Sequence, residues 1–570
     1  MPTEGHHSLV RSWRAWGFVL LFLGTFVSSA RAHTEGRGDG VYADLDAVAG
    51  ELAGWVLAPP EGVLVQSLDL GVTSEGRAVP AVVIGAIGPL PLEDRATVFL
   101  IGALDGVSLA GGEGVLQVAR RMLGDPKRLR NDQAFLVVPW GAPDALTRTM
   151  AEGASTGTGP RSGDADGDGA EMEDAPDDLD GDGFVLEMLI EDPLGPWTLP
   201  SDGRIPIQAT ADSAMRYRRV REGRDDDGDG LYNEDAGLGS RLDANFPIGW
   251  ETVPRELRGL HPLSEPTARA LASEILARRT ALVLVVQGDH GGLAFPGGTA
   301  ELAVDPRDVG AFTRTLGAFR TNMNRPWAEA LPLARTGAGP RGGTLVDWCY
   351  AVPGIPALEV AVWGPHAGCP PEAESRVALS SRSEDPSLKS QGGTSPWSPW
   401  LDRECGGMGF VEWRPVDLGP GIHARVGGWE PLTRFNPPAN QLPRALQGLD
   451  GFVRAMADGL PRLECIITLA EREGSVVRLS ATLRTRGLWP TSLAAQGLWP
   501  GAQVGTTRLD LDLPAGARLL GGAESVDLGA LPGGATSREV EWLILLPQGA
   551  SMTLRGHAPF VADAVREVRP

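Results

Sequence analysis

The stretch from Thr97 to Pro139 decides the fold class. It begins with TVFLI at residues 97–101, a short apolar run suited to a buried strand, and it ends with a similar run, FLVVP, at residues 135–139. Between the two runs, GEGVLQVARRML at residues 112–123 has the periodicity of a helix. The pattern predicts a strand, a helix and a strand of an α/β sheet.

The same alternation returns further along the chain. A helical pattern at residues 267–277 leads into ALVLVV at residues 281–286, and another helical pattern covers about residues 309–322. Residues 357–363 form a further apolar run of the strand type. We therefore expect an α/β fold with a mixed sheet packed by helices on both faces.

The pattern changes after about residue 463. Apolar and polar residues now alternate with a period of two, which is typical of half-buried strands separated by Gly/Pro turns. The apolar positions include Val477, Leu479, Ala481, Leu483, Leu509, Leu511 and Leu513, followed by a last run at residues 539–544. Residues 463–570 are therefore predicted to form a C-terminal β-sandwich domain.

Length and charge limit the functions to consider. A chain of 570 residues is too long for one core and suggests two or three domains. Its net charge of −22 excludes a basic nucleic-acid-binding surface. Residues 164–235 alone hold 22 acidic and six arginine side chains, a net −16, so most of the acidity is local.

The N-terminal segment is predicted to be a signal peptide at residues 1–32. Arg11 and Arg14 precede an apolar run at residues 15–27, which is too short to span a bilayer, and Ala30-Arg31-Ala32 has the small-x-small pattern of a cleavage site. No later stretch is suited to crossing a membrane. We therefore expect the signal peptide to direct export to the periplasm, the cell surface or the medium. Four cysteines could then form disulfides that the sequence does not pair, Cys349, Cys369, Cys405 and Cys465.

Residues 40–460 resemble the zinc carboxypeptidases of the carboxypeptidase A type, especially large secreted bacterial members with Asp-rich inserts and a C-terminal β-domain. Here the insert would be residues 155–240, and a Ser/Pro/Gly-rich loop covers residues 379–398. The resemblance is carried by six anchors in the family's order, GVTSEGR (71–77), FLIGALDGVSLAGGE (99–113), VPWGAPD (138–144), LDANFPIGW (242–250), VQGDHGGLAFP (286–296) and GTLVDWCYAVPGIPALEVAVW (343–363).

The resemblance implies zinc held by a His-x-x-Glu motif and a second histidine, with an open position for water. In this sequence, the first motif's metal-binding positions hold Asp105 and Ser108, and the second histidine's position holds Gln287. One charged ligand replaces two imidazoles and a carboxylate, and amide or hydroxyl oxygens are poor zinc ligands. The family's zinc is therefore doubtful in this chain.

The family's other catalytic positions are also changed. The pair that would hold a substrate carboxylate falls on Asp243 and Ala244, and the general-base position falls on Ala361. Glu359 is the nearby carboxylate that could replace the base. A shifted register could recruit His290, with Asp105 and Asp289, to a different metal site, although a loop histidine that caps a turn is the simpler interpretation.

The insert contains three runs of the Asp-x-Asp-Gly-Asp-Gly type. Oxygen ligands at positions 1, 3 and 5, a glycine turn and a later carboxylate can wrap one hard cation, so we expect structural calcium. The alternative is a solvated acidic loop. The expected ligands are Asp164, Asp166, Asp168, Glu173 and Asp174; Asp178, Asp180, Asp182 and Glu187; and Asp225, Asp227, Asp229, Glu234 and Asp235.

These features predict an exported pseudopeptidase that kept the carboxypeptidase-like fold and binds a peptide, a peptidoglycan fragment or a protein partner in the former substrate cleft. One alternative is an active zinc metallocarboxypeptidase with relocated ligands. Another is a structural cell-surface module whose β-sandwich does the binding. The sequence predicts no nucleic-acid partner and no membrane span after signal cleavage.

Overall fold

The structure is a computed structural model that describes most of the chain after residue 41. The described residues are 42–152, 176–226, 228, 230, 232, 240–288, 290–299, 302–326, 328–335, 341–363, 397–494, 505–559 and 561–570. The predicted signal peptide, most of the predicted loop at 379–398 and much of the Asp-rich insert lie outside these ranges. Strands and helices are numbered along the chain.

An eight-stranded mixed sheet forms the centre of the α/β part, as the sequence predicts. Its strands are β1 (Val63–Val72), β2 (Ala78–Ala86), β3 (Ala96–Gly102), β4 (Gln133–Val138), β9 (Thr280–Val286), β10 (Leu293–Phe295), β11 (Ala330–Pro332) and β12 (Ala357–Val360). The four strands β5 to β8 belong to a second sheet.

The order of the main sheet is β1-β2-β4-β3-β9-β12-β10-β11. The middle strands β4, β3, β9 and β12 run parallel. All seven residues of β9 are buried, which explains why this strand reads as a continuous apolar run in the sequence. Because β3, β9 and β12 are parallel, their carboxyl ends lie at the same edge of the sheet, where ligand sites form in α/β folds.

Helices flank this sheet, and their bounds are close to the predicted ones. The longest, Pro306–Asn322, begins with Asp305, whose side chain accepts the N–H of Arg307, and with Pro306 in its first turn. The described α-helices are α1 (Leu45–Leu57), α2 (Leu109–Gly124), α3 (Pro143–Glu152), α4 (Arg255–Arg258), α5 (Pro266–Ala277), α6 (Pro306–Asn322), α7 (Leu345–Ala351), α8 (Trp397–Glu404), α9 (Pro431–Phe435), α10 (Leu442–Leu446) and α11 (Leu449–Asp458).

The Asp-rich insert contributes to a second, six-stranded sheet that the sequence did not predict. Its strands are β5 (Glu187–Glu191), β6 (Trp197–Thr198), β7 (Ile207–Gln208), β8 (Tyr217–Arg221), β13 (Phe410–Asp417) and β14 (His423–Trp429), in the order β13-β14-β5-β8-β6-β7. Met188, Ile190, Ala424 and Val426 form its small apolar core, with Leu179 packed against them. Strands β13 and β14, which lie about two hundred residues further along the chain than β5, thus complete the sheet and stabilise the insert.

Two four-stranded antiparallel sheets form the C-terminal part, as the period-two pattern predicts. Their orders are β15-β16-β20-β18 and β19-β17-β21-β22, and Trp542 is fully buried between them. The strands are β15 (Arg462–Glu473), β16 (Val476–Arg486), β17 (Thr507–Asp512), β18 (Arg518–Gly521), β19 (Ser525–Gly529), β20 (Val540–Leu545), β21 (Met552–His557) and β22 (Ala564–Val568).

The C-terminal sheets are packed onto the α/β part, and Tyr42–Pro570 is one compact unit. Trp489 is fully buried, and its ring meets that of Phe312 on α6 edge-on, with a centroid distance of 5.9 Å. The backbone N–H groups of Leu488 and Trp489 both donate to the carbonyl of Gly459, at 2.7 and 3.0 Å. The side chain of Asp308 on α6 also accepts the N–H of Ala494 at 2.9 Å.

Cys349 and Cys465 are free thiols, and burial raises the pKa of both. Cys369 lies outside the described residues. No helix in the described part of the chain combines the length and apolar character needed to cross a bilayer.

Candidate functional site

A buried polar cluster lies where the parallel strands of the main sheet end. Asp105 and Ser108 follow β3, Gln287 follows β9, and Glu359 lies near the end of β12. Each of these four side chains is at most 6% exposed. They are brought together because a parallel sheet aligns the carboxyl ends of its strands.

Asp105, Ser108 and Gln287 satisfy one another through hydrogen bonds. The Asp105 carboxylate accepts the N–H groups of Val107 and Ser108 at 3.1 and 3.0 Å and the Ser108 hydroxyl at 2.6 Å. The Gln287 side-chain oxygen accepts the N–H of Asp105 at 2.8 Å, and the Gly288 N–H donates to the Ser108 hydroxyl at 3.0 Å. The oxygens that would have to coordinate a metal are therefore engaged with protein donors.

Arg341 joins this cluster to two buried carboxylates. Its guanidinium donates to both oxygens of Glu359, at 2.8 and 2.9 Å, and to Asp243 Oδ2 at 3.1 Å. The Gln287 amide donates to Asp243 Oδ2 at 2.6 Å and to Glu359 Oε2 at 2.8 Å. The Asp243 and Glu359 side chains are each 1% exposed, whereas Arg341 is 14% exposed. A two-pronged ion pair of this kind is the strong form of a charge-assisted hydrogen bond.

Burial and charge act in opposite directions on the two carboxyl groups. Burial raises the pKa of Asp243 to about 6, although Arg341 opposes the shift. Burial also acts to raise the pKa of Glu359, but Arg341 and His290 outweigh it and hold this pKa below its usual range. Glu359 is therefore the ionised partner of Arg341 and a very weak base.

His290 is bound to the same carboxylate. Its Nε2 lies 3.2 Å from Glu359 Oε1, and its Nδ1 accepts the N–H of Gly292 at 3.3 Å. With Nδ1 accepting, Nε2 carries the proton and donates to Glu359. This geometry occupies both ring nitrogens, so neither is available to a metal. Asp289, the other residue of the alternative metal site, lies outside the described residues.

Ala244 and Ala361 present methyl groups at the positions predicted for the substrate clamp and the general base. Both are buried, and Ala244 ends a short 3-10 helix that contains Asp243. The carbonyl of Ala361 accepts a hydrogen bond at 3.1 Å from Arg325, a buried arginine that also donates to the carbonyl of Val362. Neither alanine can move a proton or bind an oxyanion.

The cluster does not fit zinc. A zinc site needs imidazole, thiolate or carboxylate donors with free lone pairs. Here the donors at the predicted positions are hydrogen-bonded, and a guanidinium lies within 3.1 Å of two of the cluster's three carboxylates. A second cation at this place would be repelled by Arg341.

Among the described residues, one group of His, Cys, Asp and Glu side chains is close enough to hold a metal, and it belongs to the Asp-rich insert. Ligand atoms of Asp178, Asp180 and Asp182 lie within 4.8 Å of one another. The Gly183 N–H donates to Asp178 Oδ2 at 2.7 Å, which closes the loop. The later carboxylate, Glu187, begins β5, and its carboxylate lies 3.8 Å from the Arg219 guanidinium.

The third Asp run begins with the same turn. The Gly230 N–H donates to Asp225 Oδ2 at 3.0 Å, and the Gly183 N–H donates to Asp178 Oδ2 in the same way. In both runs the glycine follows the aspartate by five residues. Buried Glu222 accepts the N–H groups of Leu179 and Leu186 at 2.6 and 2.8 Å, and so ties the second run to the end of β8. The remaining predicted calcium ligands lie outside the described residues, namely Asp164, Asp166, Asp168, Glu173, Asp174, Asp227, Asp229, Glu234 and Asp235.

Arg341 is the residue of the cluster that sequence reasoning missed. It stands in a glycine-rich segment, GAGPRGG at residues 337–343, directly before the anchor that begins at Gly343. A single charged residue in such a segment was the available local signal. The local sequence does not indicate which strand end its side chain reaches. Asp347 lies in the same region and accepts the N–H groups of Gly297 and Gly298, and burial raises its pKa to about 6.

Comparisons with known proteins give a domain match and several solved structures. Residues 463–569 match a family described as "Domain of unknown function (DUF8731)". No curated protein matches the chain. Similar solved structures include the carboxypeptidase A of Helicoverpa armigera, at 12% identity and a TM-score of 0.38, which covers 56% of this chain. This chain spans 64% of that carboxypeptidase.

Two bacterial structures are similar over a comparable part of the chain. A putative carboxypeptidase of Burkholderia mallei is 13% identical, with a TM-score of 0.30. The match covers 71% of this chain and 67% of the Burkholderia chain. The murein-tripeptide amidase of Escherichia coli O157 is 12% identical, with a TM-score of 0.25. The match covers 59% of this chain and 94% of the amidase chain. The fold class itself follows from the sheet order and register of this chain.

Proposed function

We propose that this chain is an exported protein with a carboxypeptidase-like domain that binds a peptide, a peptidoglycan fragment or a protein partner without hydrolysing it. The observation that carries the proposal is the two-pronged ion pair between Arg341 and Glu359 at the strand ends. The pair engages Glu359, the nearby carboxylate that could have served as the base, and sets a protein cation against the two carboxylates that Gln287 contacts. The sequence pattern of residues 1–32 supports export.

An active zinc carboxypeptidase with relocated ligands is the rival proposal. Among the described residues, the one metal-capable group consists of three aspartates, a set of oxygen donors that suits calcium better than zinc. Ala361 and the ion-paired Glu359 leave the described cluster without a group that activates water. These features favour binding over catalysis.

The third candidate is a structural module that binds through its β-sandwich. The packing of Trp489 against Phe312 and the shared hydrogen bonds at Gly459 favour a sandwich that supports the α/β part. Substitutions on the outer face of the sandwich, such as Leu520 and Leu543, should then leave ligand binding unchanged, since both side chains are exposed.

The proposed function is tested by binding and turnover measured on the same molecules. The mature protein is incubated with a mixture of short peptides and muropeptides, the bound fraction is isolated, and its masses are determined. We expect recovered molecules of unchanged mass. Recovery of shortened products would contradict the proposal, and the absence of any bound peptide or muropeptide would exclude those two ligand classes.

We also propose that the three Asp runs bind structural calcium. Asp178, Asp180 and Asp182 already converge, and without a cation their carboxylates would repel one another. We expect about three calcium ions per chain, and calcium at about 100 times its dissociation constant should stabilise the fold by about 2.7 kcal/mol for each site that it fills.

The double variant Asp178→Asn/Asp180→Asn should lower the calcium content by about one ion per chain, because the second run loses two charged ligands. Atomic absorption of dialysed protein and thermal unfolding with and without a chelator measure both effects. Asp202→Asn is the matched control, since this exposed aspartate only accepts a backbone N–H in a turn. Equal calcium content in the double variant and the wild type would argue against a site in this run.

A further inference from the structure

Asp347 on α7 is a buried carboxyl group that takes no part in the ion pair of the strand-end cluster. The residue is fully buried, and its side chain accepts the N–H groups of two consecutive glycines, Gly297 at 2.8 Å and Gly298 at 3.1 Å. Among the described residues it forms no ion pair. Hydrogen bonds, rather than a contacting cation, therefore stabilise its charge.

The two glycines connect Asp347 to the backbone of Arg341. The carbonyl of Gly298 accepts the N–H of Arg341 at 2.8 Å. Gly297 has a φ of +118°, which other residues rarely adopt, and a Cβ atom on Gly298 would overlap the Asp347 carboxylate. The carboxylate thus holds a tightly packed glycine segment, and that segment fixes the backbone of the arginine that forms the ion pair.

Burial and hydrogen bonding have opposite effects on Asp347. Burial raises its pKa to about 6, while the N–H groups of Gly297 and Gly298, the Thr344 side chain and the charge of Arg341 act to lower it. A solvated aspartate has a pKa of about 3.9. If the bonds to the glycines open and water reaches the carboxyl group, its pKa falls towards that value and a proton is released. A rising pH therefore favours the open form.

Several other titratable or charged groups lie on the elements around α7. They are Cys349 and Tyr350 on α7 itself, Asp308 on α6, Asp243, His290, Arg341 and Glu359. Arg341 is the charge that acts on Asp347, and it favours the ionised form. Burial raises the pKa of Cys349 and Tyr350 above their ordinary values. Asp243, whose pKa is also about 6, is the group that an experiment must separate from Asp347.

We propose that the bonds between Asp347 and the Gly297–Gly298 segment form a pH-dependent clamp on Arg341, which opens more often as the pH rises from about 5 to about 8. Opening frees the backbone of Arg341 and so loosens the ion pair that organises the strand-end cluster. This regulation does not depend on which ligand the cluster region binds. The alternative is a static structural role, in which the frequency of opening does not change with pH.

Backbone hydrogen exchange of the wild type at several pH values, resolved to single residues by mass spectrometry, measures the opening. Dividing each rate by that of an unstructured peptide at the same pH gives the equilibrium constant for opening. For Gly297, Gly298 and Arg341, this constant should rise about 10-fold between about pH 5 and about pH 8, given a pKa of about 6 in the closed form and about 3.9 in the open form.

The N–H of Arg307 is the control amide, because it also donates to a carboxylate, that of Asp305, at 2.9 Å. Hydrogen bonds from Arg307 lower the pKa of Asp305 to about 2. This carboxyl group is therefore ionised in both the closed and the open form above about pH 5, and the opening constant of the Arg307 amide should stay constant.

Two variants assign the titrating group. Asp347→Asn keeps the size of the side chain and removes its charge, so the rise should disappear. Asp308→Asn is the matched control, since it neutralises another buried aspartate that contacts α7, and it should keep the rise. Opening constants that stay flat or fall with pH in the wild type would overturn the proposal without any variant. A rise that persists in Asp347→Asn would show that another group titrates, Asp243 being the first candidate, and that the assignment to Asp347 is wrong.

Discussion

Replacing Arg341 by methionine should lower the free energy of unfolding by about 3–5 kcal/mol, the range for breaking a buried ion pair from one side. The change removes the cation that Glu359 and Asp243 share, and both carboxylates are 1% exposed. Methionine keeps much of the volume of the arginine stem, so the loss reports on charge more than on packing. Denaturant unfolding at several pH values measures it.

The loss should depend on pH in a defined direction. In the wild type, the lowered pKa of Glu359 gives a stabilising contribution that is present above the unfolded-state pKa of about 4.3 and is lost as the pH falls. In the variant, the same carboxyl group is buried without its cation, which raises its pKa, so stability falls as the pH rises. The difference between the two proteins should therefore be larger near about pH 8 than near about pH 5.

Arg307→Met is the matched control for this experiment. Arg307 pairs with Asp305 as Arg341 pairs with Glu359, but its side chain is 77% exposed, and solvent screens such a pair. We expect no comparable loss of stability. An Arg341→Met variant that unfolds like the wild type at every pH would show that the strand-end cluster is not held by this ion pair.

Replacing Trp489 by alanine should cost about 3–5 kcal/mol, the range for removing a fully buried aromatic side chain. Its ring packs edge-on against Phe312, at the contact between the C-terminal sheets and α6. The indole N–H has no hydrogen-bond partner among the residues that the structure describes, so the loss comes from packing. Chemical denaturation followed by far-UV circular dichroism measures the change.

The variant should also separate the unfolding of the two parts of the chain, because it removes an aromatic contact between them. Leu520→Ala is the control, since this side chain lies on the outside of the same sandwich and is 48% exposed. It should unfold like the wild type. A small loss for Trp489→Ala, with a single unchanged transition, would show that the sandwich does not depend on this contact.

Local sequence patterns predicted the regular elements well, and the reason is physical. The run at residues 97–101 lies in a strand buried on both faces, so its positions 98–101 are all apolar, and the alternation around Val477 reflects a strand with one buried face. The helix predicted at residues 112–123 is α2, extended by three residues at its start and one at its end. Such signals are local, because each follows from the element's own period.

The features that sequence reasoning missed depend on long-range contacts. Strand β5 of the insert pairs with β14, more than two hundred residues away, and no local pattern encodes that partner. Arg341 reaches Glu359 and Asp243 from a glycine-rich segment, and the sequence alone does not show that these three side chains meet. The resemblance identified Asp105, Ser108, Gln287 and Asp243 as altered positions, but it gave no sign that a protein cation stands among them.

The zinc content of the mature protein tests the central claim most directly. The protein is purified without chelator, supplied with zinc, dialysed, and measured by atomic absorption alongside an assay of C-terminal peptide hydrolysis. Because Arg341 stands beside the carboxylates and the predicted donors are hydrogen-bonded, we expect substoichiometric zinc and no chelator-sensitive cleavage. About one zinc per chain together with cleavage that a chelator abolishes would contradict the account.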